Sequence, residues 1–459
     1  MQREAIGRAA RLAGLELAAE TDVEITGTDP VLPTPLHLGE GAATALALVG
    51  QEADGIWRMR GGRPQHLAVD VQHAAASLHS FALLRILDGA ASETPQRRVP
   101  PVTAIYECGD GRYIHLHSSF NDAPGILAEL GLSADATADD IAAATKQRGA
   151  FELEDALAAK GLCGAACRTP DEWLAHPQGA LLALKPVVEV EKIGDAPPRP
   201  FREGDRPLSG VRVLDLTRVL AGPTCARTLA EHGADVLHIA SPKLGTLPLF
   251  EMDTGHGKRQ AHIDLNEPAQ ADTLRDLVRG VDVFAQGFQH GSLERRGFGF
   301  DDIVALRPGI VHVSENAYGH DGPWQRRPGW EQLAQATTGV TFIHGLGRPQ
   351  FAPAAMNDYT TGYFGALGAM IALRRRAVEG GSWRVTVSLS QTSMWYLRVG
   401  HDLDRDAASG PGDTAAMTEE CDTPYGRMRR LRPALRMSET PPRWAIPSAP
   451  LGSDPAAWW

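Results

Sequence analysis

One carboxylate stands where a long helix is predicted to begin: Asp358, in the run Met356-Asn357-Asp358-Tyr359-Thr360-Thr361-Gly362. An aspartate at a helix start is usually an N-cap, whose side chain accepts hydrogen bonds from free backbone amides. The same place suits a nucleophile, because helix amides favour the ionised carboxylate and partial removal from water makes it more reactive toward a thioester. From the residues alone, both roles stay open.

Two further groups suit an anionic ligand. The turn Leu220-Ala221-Gly222-Pro223 follows a predicted strand and leads into a helix, where ligands bind in open parallel sheets. The run Gly257-Lys258-Arg259 sets two cations beside a glycine, and such cations can hold phosphates. Each group also has a structural alternative, since Gly-Pro can simply turn the chain and the cations can lie in a solvated turn.

Several common kinds of site are disfavoured. The sequence has no Gly-x-Gly-x-x-Gly pattern, and the second predicted strand ends in Ala240-Ser241 without an acid for a ribose hydroxyl, which disfavours NAD. Walker and Gly-x-Ser-x-Gly patterns are also missing. Cys163 and Cys167 have no second cysteine pair, so we predict structural thiols and no metal site.

The composition predicts an ordinary globular protein. Of 459 residues, 43% are hydrophobic and 22% charged, which is enough apolar material for a sizeable core. No apolar run resembles a membrane span or a signal peptide. The odd number of cysteines, five, suits reduced thiols in the cytoplasm. The net charge of −11 argues against nucleic acid as a partner.

The elements that must position these groups alternate between strand and helix. This alternation predicts a parallel sheet and a Rossmann-like α/β domain over residues 207–400. Strands are predicted at 211–216, 234–239, 261–265, 281–284, 310–313 and 383–389, and helices at 225–232, 268–279, 301–306 and 358–376.

The rest of the chain divides at proline-rich and glycine-rich segments. Residues 196–206 are predicted to be a proline-rich linker, 100–195 a smaller α+β domain, and 401–459 a C-terminal tail. Residues 1–99 contain a stretch, 61–74, that resembles 380–392: each has Gly-Gly, an alternating strand and a helix. We interpret 1–99 as a possible remnant of a duplicated copy. The region around residues 36–38 is expected to offer no carboxylate, so one active site is predicted.

The second half resembles the family III CoA-transferases, also called the CaiB/BaiF family. The resemblance lies in an ordered series of motifs: Leu208 to Pro223, Gly233-Ala234-Asp235-Val236, Gly257-Lys258-Arg259, Tyr318 to Trp324, Gln335 to Gly339, and Asp358-Tyr359-Thr360-Thr361-Gly362. The first half is similar to the small domain of the same family, which in typical members follows the catalytic half.

The resemblance implies a function and roles for the residues named above. Asp358 matches the family nucleophile, which would transfer CoA from an acyl-CoA to a carboxylic acid through anhydride and aspartyl-CoA intermediates. Lys258 and Arg259 match a basic pair near CoA, and amides of Ala221 and Gly222 would stabilise oxyanions. CoA is then a substrate and no permanent cofactor is expected; the family also implies a homodimer.

Some positions depart from the family pattern. Gln289-His290-Gly291 replaces Arg-Pro-Gly, and Ala240-Ser241 replaces an acid and a basic residue, both near the expected nucleotide end of CoA. An acyl-CoA racemase is disfavoured, because Trp330-Glu331 stands where a racemase carries His-Asp, and tryptophan cannot remove a proton from carbon. The other alternative is a non-catalytic CoA-binding subunit.

Overall fold

The N-terminal part forms a strand–helix–strand unit. The computed structural model describes residues 2–88, 100–120, 122–410 and 412–459. The first elements are α1 (Gln2–Leu12), β1 (Val23–Thr26), α2 (Leu38–Met59), β2 (Leu67–Asp70), α3 (Val71–Ser77), α4 (Ser80–Leu83) and β3 (Arg85–Ile86). Strands β1 and β2 are parallel, as expected when a helix connects them.

A small α+β unit follows. Its elements are β4 (Ala104–Glu107), β5 (Tyr113–Leu116), α5 (Ala123–Glu129), α6 (Ala138–Thr145), α7 (Ala150–Ala159), β6 (Gly164–Ala166), α8 (Pro170–Ala175) and α9 (Pro177–Ala183). The three strands form an antiparallel sheet in the order β4-β5-β6. The turn between β4 and β5 contains Gly111 at a φ of 75°, a conformation that favours glycine.

The central sheet has seven strands. Its part of the chain contains β7 (Glu189–Gly194), β8 (Arg212–Asp215), α10 (Ala221–Glu231), β9 (Asp235–Ala240), α11 (Pro248–Thr254), β10 (Lys258–His262), α12 (Pro268–Arg279), β11 (Val283–Gln286), α13 (Phe300–Leu306), β12 (Val311–Asn316), α14 (Glu331–Thr338), α15 (Val340–His344), α16 (Met356–Glu379), β13 (Ser382–Ser388) and α17 (Leu389–Val399). The strand order is β10-β9-β8-β11-β12-β13-β7, with only β7 antiparallel to its neighbour.

The C-terminal part returns to the N-terminal unit. Its elements are α18 (Thr414–Met417), β14 (Thr418–Thr423), β15 (Gly426–Leu431) and β16 (Leu435–Met437). Strand β16 pairs with β2 and β15 with β3, both antiparallel. The last residues then run beside the edge strand β10, where the backbone amide of Asp454 donates to the carbonyl of Gln260 at 2.8 Å.

Helix α16 lies at the centre of the main hydrophobic core. It packs against the sheet on one side and against α2 on the other, so that it is buried on almost every face. Gly362 allows this helix to approach α10, since a Cβ there would lie 2.5 Å from the carbonyl oxygen of Ala221. Within the described ranges, no helix has the length and apolar character needed to cross a bilayer.

The predicted α/β class with a Rossmann-like parallel sheet is confirmed. The helix over 268–279 is confirmed to the residue, and the others begin or end within a few residues of their predicted positions. The strand predicted at 261–265 lies three residues earlier, in β10, because its register is fixed by pairing with β9. The division into domains stays a prediction, and β7 falls in the range of the small unit although it joins the central sheet.

The two stretches that resemble each other in sequence also share an element order. A strand, a long helix, a Gly-Gly pair, a parallel strand and a further helix occur as β1-α2-β2-α3 and as β12-α16-β13-α17, with α14 and α15 inserted between β12 and α16 in the second case. The last helix of each has a side-chain N-cap in the same place, Asp70 and Ser388, which accept from backbone amides three residues later.

Candidate functional site

Asp358 lies in the first turn of α16 but does not cap it. The N-cap position belongs to Ala355, and Asp358 is the third residue of the helix. Among the described residues, no hydrogen-bond donor contacts its carboxylate, and the residue is only 8% exposed. The N-cap alternative is therefore not the arrangement that the structure shows.

Asp358 borders two cavities. The first, of about 490 Å³, is bordered mainly by aliphatic and aromatic side chains. The second, of about 390 Å³, is more polar and is bordered by the strand ends and by Arg218, Arg327 and His290. A group bonded to Asp358 can therefore extend into an apolar space, while a polar chain approaches from the other side.

Glu331 closes the free end of α16. Its Oε1 accepts from the backbone amide of Asn357 at 3.2 Å, and its Oε2 accepts from the amide of Asp358 at 3.1 Å. These are amides that a helix leaves without internal partners. The side-chain amide of Gln335 also donates to Glu331 Oε1 at 2.7 Å. Glu331 thus fixes the backbone that carries Asp358.

Glu315 lies under the polar cavity, at the end of β12. Its Oε1 is 2.7 Å from the place that a Cβ would take at both Gly222 and Gly287. Both positions must therefore lack a side chain for this carboxyl group to fit. The backbone amide of Gly222 donates to the Glu315 carboxylate. Burial and the charge of Asp358 raise the pKa of Glu315 to about 8.

Burial controls the ionisation of Asp358 as well. It raises the pKa of this carboxyl group from 3.8 to about 7. Burial and the charge of Asp358 also raise the pKa of Glu331 well above its usual range. Buried carboxyl groups that lie close together resist joint ionisation, so the cluster holds fewer negative charges than carboxyl groups near pH 7.

The loop before α10 carries backbone strain where it meets both cavities. Val219 has a φ of 72°, which is rare for a β-branched residue, and Ser119 in the small unit has a φ of 48°. Both residues border both cavities. Strain of this kind costs on the order of 1–3 kcal/mol per residue and is concentrated at functional sites.

Ala221 and Gly222 begin α10, four residues before the predicted helix start at Cys225, and they differ in their surroundings. Ala221 borders the polar cavity. The amide of Gly222 is used by Glu315, so it is not free for an oxyanion in this state. A side chain at Gly222 would also lie 2.3 Å from the Cβ of Thr217.

Lys258 and Arg259 border neither of the cavities beside Asp358. Lys258 is 1% exposed, and its Nζ contacts Asp215 Oδ2 at 2.8 Å and the carbonyl of Pro223 at 2.7 Å. The guanidinium of Arg259 stacks over the ring of Trp459 at 3.7 Å. That this pair lies near CoA stays a prediction: Lys258 borders the same narrow space as Ala240 and Ser241, while β10 directs the side chain of Arg259 to the opposite face.

The positions that depart from the family pattern lie around the polar side. Gln289 and His290 border the polar cavity, and the side-chain amide of Gln289 donates to the carbonyl of Arg326 at 3.1 Å. Ala240 and Ser241 border a narrower space of about 50 Å³. The four positions that differ from the family pattern thus border the polar cavity or this narrower space, which Arg218 and Lys258 border as well.

A loop of the small unit covers the site. His117 stacks on the ring of Trp330 with centroids 6.0 Å apart, and Phe120 meets the same ring edge-on at 5.8 Å. The indole Nε1 of Trp330 donates to Ser119 Oγ at 2.7 Å. These contacts join the small unit to the start of α14 beside the two cavities that Asp358 borders.

A buried hydrogen-bond network joins α16 to the N-terminal unit. The carboxylate of Asp253 accepts from Ser80 Oγ at 2.7 Å, from the Tyr359 hydroxyl at 2.8 Å and from Arg227 Nη1 at 3.0 Å. Tyr359 directly follows Asp358, and Ser80 directly precedes Phe81, which borders the apolar cavity. The network therefore sets the distance between that wall of the cavity and the carboxylate.

The start of α2 repeats part of this arrangement. Glu40 is the third residue of α2, as Asp358 is of α16, and Asp29 accepts from the amides of Gly39 at 3.2 Å and Glu40 at 2.8 Å. The expectation of no carboxylate in this region is therefore wrong. Glu40 instead contacts His37 Nδ1 at 2.8 Å and borders neither cavity beside Asp358.

Sequence reasoning missed Glu315 and the structural part played by Glu331. From the sequence, Glu331 enters only as the residue that stands at the position of the aspartate in the His-Asp pair of a racemase. The available signal for Glu315 was a carboxylate at the end of a predicted strand of the parallel sheet, the edge where ligands bind. No local pattern indicated its contact with Gly222 and Gly287, which are distant in sequence.

Comparisons with known proteins indicate the family of this chain. The model of CoA-transferase family III matches residues 208–401. An acyl-CoA transferase of Gibberella moniliformis is 32% identical over 85% of this chain and 76% of its own length. The acetyl-coenzyme A transferase nodX of Hypoxylon pulicicidum is 30% identical over 74% of this chain and 65% of its own length.

A similar protein is also found among solved structures. A CaiB/BaiF family protein from Brucella suis is 27% identical, with a TM-score of 0.39, over 41% of this chain and 55% of its own. The long match to the Gibberella protein, together with the family model, identifies the chain: it belongs to family III of the CoA-transferases.

Proposed function

We propose that this chain transfers CoA from an acyl-CoA to a carboxylic acid through covalent intermediates on Asp358. The observation that carries the proposal is the position of this buried carboxylate between an apolar and a polar cavity. An acyl group fits the apolar side, and the polar pantetheine chain of CoA fits the other.

The reaction needs four exchanges at carbonyl carbons. An oxygen of Asp358 attacks the thioester carbonyl of the donor, the C–S bond breaks, and a mixed anhydride and CoA thiolate form. The thiolate attacks the aspartyl carbonyl and releases the donor acid, leaving an aspartyl-CoA thioester. The acceptor carboxylate attacks this thioester and expels the thiolate, which then captures the new acyl group and frees Asp358.

The surrounding residues supply position and electrostatics. Glu331 holds the first turn of α16, so that the attacking oxygen keeps a fixed direction. We assign the oxyanion of each tetrahedral intermediate to the first amides of α10, chiefly that of Ala221, because the amide of Gly222 serves Glu315. Burial leaves the Asp358 anion poorly solvated and therefore more nucleophilic.

CoA in this proposal is a substrate, held in the polar cavity. Arg218 and Arg327 are the cations that border that cavity, and they are candidates for its phosphates. The homodimer implied by the family is part of the same proposal, and light scattering after size-exclusion chromatography measures it directly.

Trapping with hydroxylamine tests the covalent step. The protein is incubated with a panel of acyl-CoAs and then with hydroxylamine, and peptide mass spectrometry locates any hydroxamate. We expect the mark on Asp358 and none in Asp358→Asn. Asp301→Asn is the matched control, because Asp301 is an exposed aspartate in the first turn of another helix, α13. CoA binding without any mark on Asp358 would contradict the proposal and favour a non-catalytic CoA-binding subunit.

A further inference from the structure

We propose that the acyl group handled at this site is apolar and uncharged, which makes the substrates aliphatic or aromatic monocarboxylic acids and their CoA thioesters. This inference rests on the proposed function, because it takes Asp358 as the point of acyl attachment. It goes further by stating which acids fit the cavity beside that residue.

The walls of the apolar cavity are largely rings. Phe81 and Phe250 meet edge-on with centroids 4.8 Å apart, Trp330 and Phe120 form a second edge-on pair, and Phe351 completes the ring-lined surface. Edge-on and offset ring contacts are the geometry that aromatic groups prefer. A phenyl or alkyl group would therefore replace water with favourable contacts on several sides.

The charged residues that border the cavity do not favour a second carboxylate. Among the residues that the structure describes, no lysine or arginine borders it, whereas Glu331 and Asp358 do. Arg218 packs against Phe120 with its guanidinium 4.5 Å from the ring centroid, but it donates to the carbonyl of Gly245 and does not border this cavity. A dicarboxylic acyl group would lose its hydration here without gaining a partner.

Two histidines border the cavity, and His117 stacks on Trp330 as described above. The other, His79, does not supply a positive charge. Burial lowers the pKa of His79, so its imidazole is neutral near pH 7. Its ring packs against Phe81 with centroids 4.8 Å apart, and its Nδ1 has no partner in the described part of the chain. A neutral imidazole can donate or accept one hydrogen bond, which suits a hydroxyl or carbonyl better than a carboxylate.

The size of the cavity favours more than a two-carbon acyl group. Its volume of about 490 Å³ lies within the range of small-molecule sites, roughly 300–1,000 Å³. An acetyl group would leave most of this space to water. Because each buried methylene contributes about 0.8 kcal/mol, we expect kcat/KM to rise roughly fourfold for each added methylene until the cavity is filled.

A substrate series tests the inference. Acetyl-, butyryl-, hexanoyl-, phenylacetyl-, succinyl- and glutaryl-CoA are compared as donors by kcat/KM and, separately, as ligands by calorimetric Kd relative to free CoA. We expect hexanoyl-CoA to exceed acetyl-CoA by roughly two orders of magnitude. Succinyl-CoA, about the length of butyryl-CoA, is expected to fall at least about tenfold below it. Equal use of succinyl- and butyryl-CoA, or no dependence on chain length, would overturn the inference.

A charge placed in the cavity provides the converse test. Gln332 borders the apolar cavity from α14 and is half-buried. Gln332→Arg should raise the succinyl-to-butyryl ratio at least about tenfold, whereas Gln332→Met, of similar length but neutral, should not raise it. An unchanged ratio in a folded Arg variant would count against the inference. The binding series needs no covalent step, so a preserved series without a hydroxamate would refute the proposed function alone.

Discussion

Replacing Asp358 by asparagine is expected to stabilise the fold while it removes the proposed nucleophile. Burial raises the pKa of this carboxyl group from 3.8 to about 7. Between these two values the folded state binds more protons than the unfolded state, so the free energy of unfolding falls as pH rises. The fall is about 1.4 kcal/mol per pH unit, or about 4 kcal/mol in all, and it is complete above pH 7.

In Asp358→Asn the free energy of unfolding lacks this dependence on pH. Asp358→Asn should therefore exceed the wild type by about 4 kcal/mol at pH 8, and the gain should shrink to near zero below pH 4. The substitution also removes a charge that raises the pKa values of Glu315 and Glu331, and this increases the stability of the variant at pH 8 further. For a chain of this length, the gain corresponds to an increase in Tm of roughly 4 °C.

Thermal unfolding at pH 5, 6, 7 and 8 measures the effect. The control Asp301→Asn removes an exposed carboxylate from the first turn of α13, where such a charge contributes about 0.3–1 kcal/mol, so this variant should be slightly less stable than the wild type. Opposite signs for the two aspartates at pH 8 are the expected result. An Asp358→Asn variant that is no more stable at pH 8, or equally stabilised at pH 5, would refute the argument that burial of this charge opposes folding.

Three further outcomes can be checked. The value of kcat/KM should rise with pH as Asp358 ionises, with a pKa of about 7, and fall as Glu315 ionises, with a pKa of about 8. In Glu315→Gln the fall at high pH should disappear. Lys258→Met should lower the free energy of unfolding by about 3–5 kcal/mol in chemical denaturation, because it leaves the buried carboxylate of Asp215 unpaired. Arg259→Met should lower it by at most about 1 kcal/mol and leave the Kd for CoA unchanged. In Gly222→Ala the new Cβ would meet the Glu315 carboxyl group, so the variant should be about 1–3 kcal/mol less stable through overpacking. It should also abolish transfer in turnover assays. Full activity would contradict the tight contact.

The sequence predicts helices and strands well where residues close together in the chain set their bounds. Helix α12 begins at Pro268 and ends before Gly280, residues that favour those two positions, and its predicted bounds are the observed ones. The position of Asp358 in the first turn of a long buried helix also follows from its surrounding sequence. Both features depend on residues close together in the chain.

The rest of the site depends on contacts between distant segments. The sequence shows Lys258 and Arg259 as neighbouring cations, but only pairing with β9 makes them part of a strand that separates their side chains. Glu315 reaches Asp358 because β12 and α16 are adjacent in the fold. Composition and periodicity carry no information about such distances, so these partners could not be predicted.

The pairing of β7 with β13 and of β2 with β16 has a consequence for synthesis of the chain. The ribosome releases β2 and β7 long before β16 and β13, the strands that pair with them. Until then the early segments present open strand edges and the apolar face of α2 that later meets α16. Nascent chains should therefore depend on chaperones or on slow translation more than a protein that folds segment by segment, and refolding from denaturant should be slow because its decisive contacts span hundreds of residues.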